Sequence, residues 1–162
     1  MRNYKQGQLA LGHNGNLINA SHIRNHLENL GSIFSTSLDT EVVCHLIAHS
    51  RQDSLEDRIF DAFRAVEGAY SFIVLDKTTL MGARDPHGFR PLWIGKLGDA
   101  YILTSETCAL DVIEAEPIRE VDPGELVTMR SKHLGVESFR FSPKRPNTPL
   151  SLIHISEPTR PY

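Results

Sequence analysis

Cysteine is nearly absent from this chain: two among 162 residues, at positions 44 and 108, with no Cys-x-x-Cys or histidine spacing around either. That excludes a disulfide framework and a zinc site, and it suits a reducing compartment. Long apolar runs are missing as well. No stretch approaches the roughly 20 residues that cross a bilayer as a helix, and Met1-Arg2-Asn3-Tyr4-Lys5-Gln6 lacks the apolar centre of a signal peptide. Nor is there an excess of positive charge. A formal net charge of −3 removes the general case for nucleic acid or an anionic membrane as partner. What remains, 40% hydrophobic and 23% charged, is the make-up of a globular domain with a core of its own. These features predict a cytoplasmic protein.

Periodicity divides the chain in two. Ile23, Leu27 and Leu30 stand at helical spacing after Asn19-Ala20-Ser21, and Gly31 stops the segment. A second helix begins near Asp39 with Val42, Val43, Leu46 and Ile47 along one side. A third runs from about Ser54 with Leu55, Ile59, Phe63 and Val66 as its apolar stripe, and Gly68 ends it. Beyond that point the period shortens to two. Segments 69–75, 80–83, 92–94, 101–104 and 126–129 are short, β-rich and separated by Asp, Gly or Pro. Helices followed by a meander of short strands predict an antiparallel sheet with helices packed on it. Residues 143–162 carry five prolines and no sustained period, so no regular element is expected there.

Chemistry enters at His13-Asn14-Gly15-Asn16-Leu17. Leu9-Ala10-Leu11-Gly12 reads as a strand running into a tight turn, and Asn-Gly is the dipeptide that takes positive φ most cheaply. Such a turn would free the Asn14 carboxamide and the Gly15 N–H to point at one place, as an oxyanion hole requires. By itself the dipeptide reads first as an ordinary hairpin turn. Downstream stand Thr36-Ser37-Leu38-Asp39-Thr40-Glu41, Gly68-Ala69-Tyr70-Ser71-Phe72, and Arg84-Asp85-Pro86-His87-Gly88-Phe89-Arg90-Pro91-Leu92. Thr104-Ser105-Glu106-Thr107-Cys108-Ala109 and Arg119-Glu120-Val121-Asp122-Pro123-Gly124-Glu125 follow.

Taken in this order, from about residue 8 to about 142, these motifs resemble the N-terminal class II glutaminase domain of the amidophosphoribosyltransferase family. The resemblance implies an α+β fold, the αββα sandwich of the N-terminal-nucleophile hydrolases, with antiparallel sheets and packed helices and incomplete at its N-terminus. It makes 1–142 a partial glutaminase domain and 143–162 an irregular Pro-rich tail. From about residue 151 that tail resembles translated adapter sequence and is expected to be non-native. The family hydrolyses glutamine and passes ammonia to phosphoribosylpyrophosphate, giving 5-phosphoribosylamine for purine synthesis.

Carried over by motif, Asn14 and Gly15 stabilise the oxyanion and Asp39 meets the α-ammonium of glutamine. The alternative for Asp39 is a plain helix cap, and Leu38 stands where the family has a small polar residue. The family's nucleophile is a cysteine at the mature N-terminus whose own α-amino group is the base. Met1 stands first here, so the chain is expected to be an internal fragment, inactive alone. Cys44, inside a helix, and Cys108, at a strand-to-helix junction, are not replacements. His13 is expected to be structural, as are Ser105 and Glu106. Arg84, Asp85 and Arg90 read as scaffolding, a loop held by an internal ion pair, with a contact to a second domain open to the same three residues.

Glutamine is thus the expected partner, with phosphoribosylpyrophosphate reached through a second domain, no nucleic acid, no membrane, and a homo-oligomer for the full-length enzyme. No cofactor is expected within these residues. Magnesium would belong to the phosphoribosyl-transfer domain, and an iron–sulfur cluster in the full-length enzyme stays open, its ligands falling outside this stretch. The alternatives are another class II glutamine amidotransferase, for which the Asn-Gly turn would be shared but not Arg-Asp-Pro-x-Gly-x-Arg-Pro-Leu, and a non-catalytic module that binds an amino acid.

Overall fold

The computed structural model describes residues 2–4, 7–131 and 133–143. A short strand β1 (Arg2–Tyr4) and the long β2 (Gly7–Leu17) lead into three helices, α1 (Ala20–Asn29), α2 (Asp39–His49) and α3 (Leu55–Ala65). Strands β3 (Gly68–Leu75), β4 (Thr79–Arg84), β5 (Trp93–Leu97) and β6 (Ala100–Thr104) follow. The short helix α4 (Cys108–Val112) precedes β7 (Glu116–Glu120), β8 (Glu125–Arg130) and β9 (His133–Arg140). The expected tail, 143–162, lies outside the described residues except for Pro143.

Two antiparallel sheets result, one of order β1-β2-β3-β4-β8-β9 and one of order β6-β5-β7. Alternation along the strands assigns their faces. Tyr70, Phe72 and Val74 of β3, Met81 and Ala83 of β4 and Leu126 of β8 are buried in one cluster with Ile23, Leu27, Val43, Ile47, Ile59 and Phe63 of the helices. The intervening residues, Ile73, Leu80, Val127 and Met129, pack with Leu92, Ile94, Leu103 and Val121 on the side of the smaller sheet. Gly82 makes the sheets' approach possible, because a Cβ there would stand 2.8 Å from Leu103 Cδ1. On the outer side of the smaller sheet, Leu110 of α4 is fully buried against Gly95 of β5. The layers therefore run helices, sheet, sheet, helix, which is the αββα sandwich.

The helices are those that the 3.6 period predicts, with two local differences. Leu30 is not part of the buried stripe: it caps α1 and is 58% exposed. Val66, not Gly68, ends α3, and Gly68 opens β3. Ser54 caps α3 by accepting the Asp57 N–H at 3.0 Å. Asn19 caps nothing with its side chain. It donates instead to Ala65 O at 2.9 Å and accepts the Glu67 N–H at 2.9 Å, tying the start of α1 to the end of α3. Ile18 N–H donates to Glu67 O at 2.8 Å beside it. The three-helix layer thus begins and ends at one place on the β2–β3 ladder.

Candidate active site at the edge of strand β2

The expected tight turn at Asn14-Gly15 is not there. Both residues lie inside β2, in unbroken register with β3: Asn14 opposite Ser71 and Gly15 opposite Tyr70. Chain reversal is not what the Asn-Gly pair does here, although the positive φ is real. Gly15 has φ +134° and Gly68, two places along the same ladder, has φ +151°. A Cβ on Gly15 would overlap the Ala69 carbonyl oxygen, and one on Gly68 would overlap that of Asn16. The two strands come together here in a backbone conformation that L side chains rarely adopt, which is why both positions are glycine.

Beyond the stretch paired with β1, residues Ala10–Leu17 have β3 on one side and, among the described residues, no strand on the other. Asp39, the first residue of α2, stands at that open edge. Its Oδ2 accepts the Leu17 N–H at 2.9 Å, and among the described residues this is its only hydrogen bond. The alternative of a plain cap is excluded, because Leu38 occupies the cap position and makes no side-chain cap bond. Two extended residues separate the Gly15 and Leu17 nitrogens by at most about 7 Å. With the 2.9 Å bond added, the Asp39 carboxylate lies no more than about 10 Å from the Gly15 N–H. Gly15 and Asp39 are therefore brought within about 10 Å of each other, with Asn14 next to Gly15 on the strand. The negative charge also sits in the first turn of a helix, where the backbone dipoles favour it.

His13 faces the helical layer, opposite in direction to Asn14. Its ring stacks on Phe72 with centroids 4.2 Å apart and planes 2° from parallel. Nε2 is buried with no hydrogen-bond partner among the described residues. Burial lowers the imidazole pKa below its ordinary 6.5; Asp39 opposes this and Arg90 adds to it. A neutral, stacked ring fits a structural role better than a general base. Protonation is therefore easier in the unfolded chain. Stability is complete above pH 6.5 and is lost as the pH falls below it toward the depressed native value. His13→Phe keeps the stack and removes the proton site. Urea unfolding at pH 7.5 and 5.0 is expected to show a smaller acid-induced loss for this variant than for the parent chain; equal losses would mean that His13 is not the group responsible.

The Arg84–Arg90 loop differs from expectation in its bonding. No Arg84–Asp85 ion pair holds it. Asp85 is fully buried and accepts four backbone N–H groups. Tyr70 (3.3 Å) and Arg90 (3.1 Å) donate to Oδ2, and His87 (2.9 Å) and Phe89 (3.2 Å) to Oδ1. Arg84 turns the other way, donating to the carbonyls of Arg90, Gly88 and Val121 and pairing with Glu120 at 2.9 Å. The motif is scaffolding made of backbone hydrogen bonds. Glu125 plays a similar part below it. Burial works against its charge, but hydrogen bonds from Arg119, Ser138 and the Asp122 N–H prevail and hold its pKa below the ordinary value.

Cys44 lies within α2, half-buried, and Cys108 opens α4, exposed, with Sγ 3.6 Å from Glu106 Oε2. Neither is on β2. A groove of about 470 Å³ opens beyond the end of the β2–β3 ladder, between Ile18, Phe63, His87, Phe89 and Phe141, and takes in neither Asn14 nor Asp39. Among the described residues no three His, Cys, Asp or Glu side chains are grouped to hold a metal ion, and no helix is long and apolar enough to cross a membrane.

Residues 1–112 match the family model described as a glutamine amidotransferase domain. The chain belongs to this family. Similar proteins include an amidophosphoribosyltransferase of Bacillus subtilis, 45% identical over 157 residues, covering 97% of this chain and 33% of that one. Amidophosphoribosyltransferase 2, chloroplastic, of Arabidopsis thaliana is 50% identical over 127 residues, 78% of this chain and 23% of that one. The solved glutamine phosphoribosylpyrophosphate amidotransferase of B. subtilis, complexed with ADP and GMP, superposes with a TM-score of 0.83 at 48% identity, over 88% of this chain and 31% of that one. This glutamine amidotransferase chain spans about a third of the length of the B. subtilis relative it matches. A class-II glutamine aminotransferase domain protein of Silicibacter pomeroyi, at TM-score 0.62 and 19% identity, shares the fold. The antiparallel, helix-covered sandwich is thus that of the N-terminal-nucleophile amidotransferases.

Proposed function

We propose that this chain is the glutamine-hydrolysing part of an amidophosphoribosyltransferase, releasing ammonia that the whole enzyme transfers to phosphoribosylpyrophosphate to give 5-phosphoribosylamine. The observation that carries the reading is the Asp39 carboxylate at the open edge of β2, one oxygen spent on the Leu17 N–H and the other without a hydrogen bond among the described residues, within about 10 Å of Gly15. In this reading the free oxygen receives the α-ammonium of glutamine. The side-chain amide then lies toward Asn14-Gly15. When a thiolate attacks the amide carbon, the oxygen takes up negative charge, and the Asn14 carboxamide and the Gly15 N–H donate to it. The tetrahedral adduct collapses with loss of ammonia, and water releases glutamate from the thioester. Leu17 N–H keeps the carboxylate from turning away.

The thiolate comes from a cysteine whose own α-amino group accepts its proton, in line with the resemblance. Cys44 and Cys108 have their nitrogens in peptide bonds and stand on other elements. A 162-residue polypeptide of this sequence is therefore expected to form no glutamate from glutamine above a no-protein control. Joined behind the family's cysteine-initiated segment, placed ahead of Gln8, it is expected to turn over. Glutamate formed by the polypeptide alone and abolished by Asn14→Ala would overturn the assignment of the nucleophile. Failure of the joined chain, correctly folded, would overturn the function.

A further inference from the structure

We propose that Glu41 is a positioning residue, which fixes the loop delivering Asp39 to β2 and thereby sets where the amino group of the substrate is met. The inference rests on the reading of Asp39 given above. Glu41 is 4% exposed, and its buried carboxylate takes three hydrogen bonds from the segment before the helix, with His45 Nε2 of the next turn 3.9 Å from Oε1. Oε1 accepts the Ser35 N–H at 2.9 Å, and Oε2 accepts the Thr36 N–H at 2.7 Å and the Thr36 hydroxyl at 2.6 Å. The Thr36 hydroxyl oxygen in turn accepts the Leu38 N–H at 3.3 Å, so the bonding reaches the residue directly before Asp39. Glu41 N–H closes the circuit on Leu38 O at 3.1 Å.

An ordinary capping box ends sooner. There a glutamate at the third helical position returns to the N–H of the cap residue alone. Glu41 stands at that third position, yet it passes over Leu38 and takes the amides two and three residues further upstream. What it fixes is the line of approach of the chain as well as the first turn. The far end of the loop is anchored separately: Phe34 lies against the His45 ring at 4.2 Å and under the Arg24 guanidinium at 4.1 Å. Two carboxylates of one helical turn thus point in two directions. Glu41 grips the loop, and Asp39 is held against β2 by a single 2.9 Å bond that a small shift of the loop would break. Charge-assisted bonds to a buried acid are among the stronger ones available, and losing the charge leaves their donors facing an amide.

The test uses amide hydrogen exchange in the 162-residue chain, followed by NMR. Glu41→Gln is expected to raise the exchange rate of the Leu17 amide by about ten-fold, approaching the rate in Asp39→Ala, while the Val43 and Ile47 amides inside α2 stay within about two-fold. Thr36→Val, which leaves Glu41 in place, is expected to do the same to a smaller degree, and it serves if Glu41→Gln does not fold. An unchanged Leu17 amide in both variants, or equal acceleration of all three amides, overturns the proposal, the latter by showing Glu41 to hold the fold as a whole. The turnover-competent joined chain separates this from the reading of Asp39. There Glu41→Gln is expected to raise KM for glutamine with little change in kcat, and to add nothing to Asp39→Asn. Were Asp39→Asn itself to leave KM unchanged, the ligand role of Asp39 would fall, while the exchange data would still decide the role of Glu41.

Discussion

Asn14→Ala, introduced into the chain joined behind a cysteine-initiated segment, is expected to lower kcat for glutamine hydrolysis about 10²–10³-fold, or roughly 2.7–4 kcal/mol, with KM changed little. The reason is where the charge appears. Glutamine's amide oxygen carries only a partial charge in the bound substrate, and a full one develops as the carbon becomes tetrahedral. A carboxamide N–H aimed at that oxygen is therefore worth most in the transition state. Asp39→Asn is expected to behave in the opposite way. The α-ammonium is charged before, during and after attack, so losing its partner weakens ground and transition states alike and appears in KM. Steady-state kinetics with glutamate detection separates the two. If Asn14→Ala raised KM and left kcat alone, the carboxamide would be a strand side chain with no part in the chemistry, and Gly15 would remain as the sole candidate donor.

Asp85→Ala is expected to cost the fold about 4 kcal/mol or more, measured by urea unfolding of the 162-residue chain. Its carboxylate has no exposed surface and satisfies four backbone donors: those of Tyr70, His87, Phe89 and Arg90. A buried donor left without a partner costs about 1–3 kcal/mol, and a methyl group satisfies none of the four. Domains of this size are stable by only about 5–15 kcal/mol, so the variant should be close to unfolding at ambient temperature. Asp85→Asn keeps one acceptor oxygen but turns an NH₂ group toward the remaining donors, and it should fall between. A loss below about 1 kcal/mol for the alanine variant would show that the loop opens and water replaces the carboxylate.

The helical half of the fold was legible because burial there repeats every three to four residues: Val42, Val43 and Ile47, or Ile59 and Phe63, announce their faces. The strands of the second half were legible where both faces are covered. β7 escaped because Glu116-Pro117-Ile118-Arg119-Glu120 is an exposed edge strand, its proline tolerable only there. β9, with Gly135 in it, and the five-residue α4 are too weakly patterned or too short to read. The continuity of β2 through Asn14-Gly15 also has a sequence signal. Leu9, Leu11, His13 and Leu17 alternate straight through Asn14-Gly15, and that period of two was evidence for a continuous strand. For the site, the motifs picked out Asn14, Gly15 and Asp39, but Asp39's partner is a main-chain N–H, which no side-chain pattern can reveal. Glu41 was visible in Asp39-Thr40-Glu41 only as a third helical position. Nothing in the sequence says how far upstream its carboxylate reaches.

The bonds of Asn19 have a consequence for how the molecule comes into being. They fasten together points up to 48 residues apart in sequence, at the place where the three-helix layer leaves the β2–β3 ladder and returns to it. In terms of connectivity that whole layer is the loop of a single hairpin. Closing a loop of this length costs little more than closing one half as long, about 0.6 kcal/mol, but nothing is gained from the strand pairing until it is closed. Asp39 travels with the loop, whereas Asn14 and Gly15 belong to the ladder. The acid and the oxyanion donors therefore meet only in the step that seals the hairpin. A chain caught before that step would hold Asn14, Gly15 and Asp39 and none of their shared geometry.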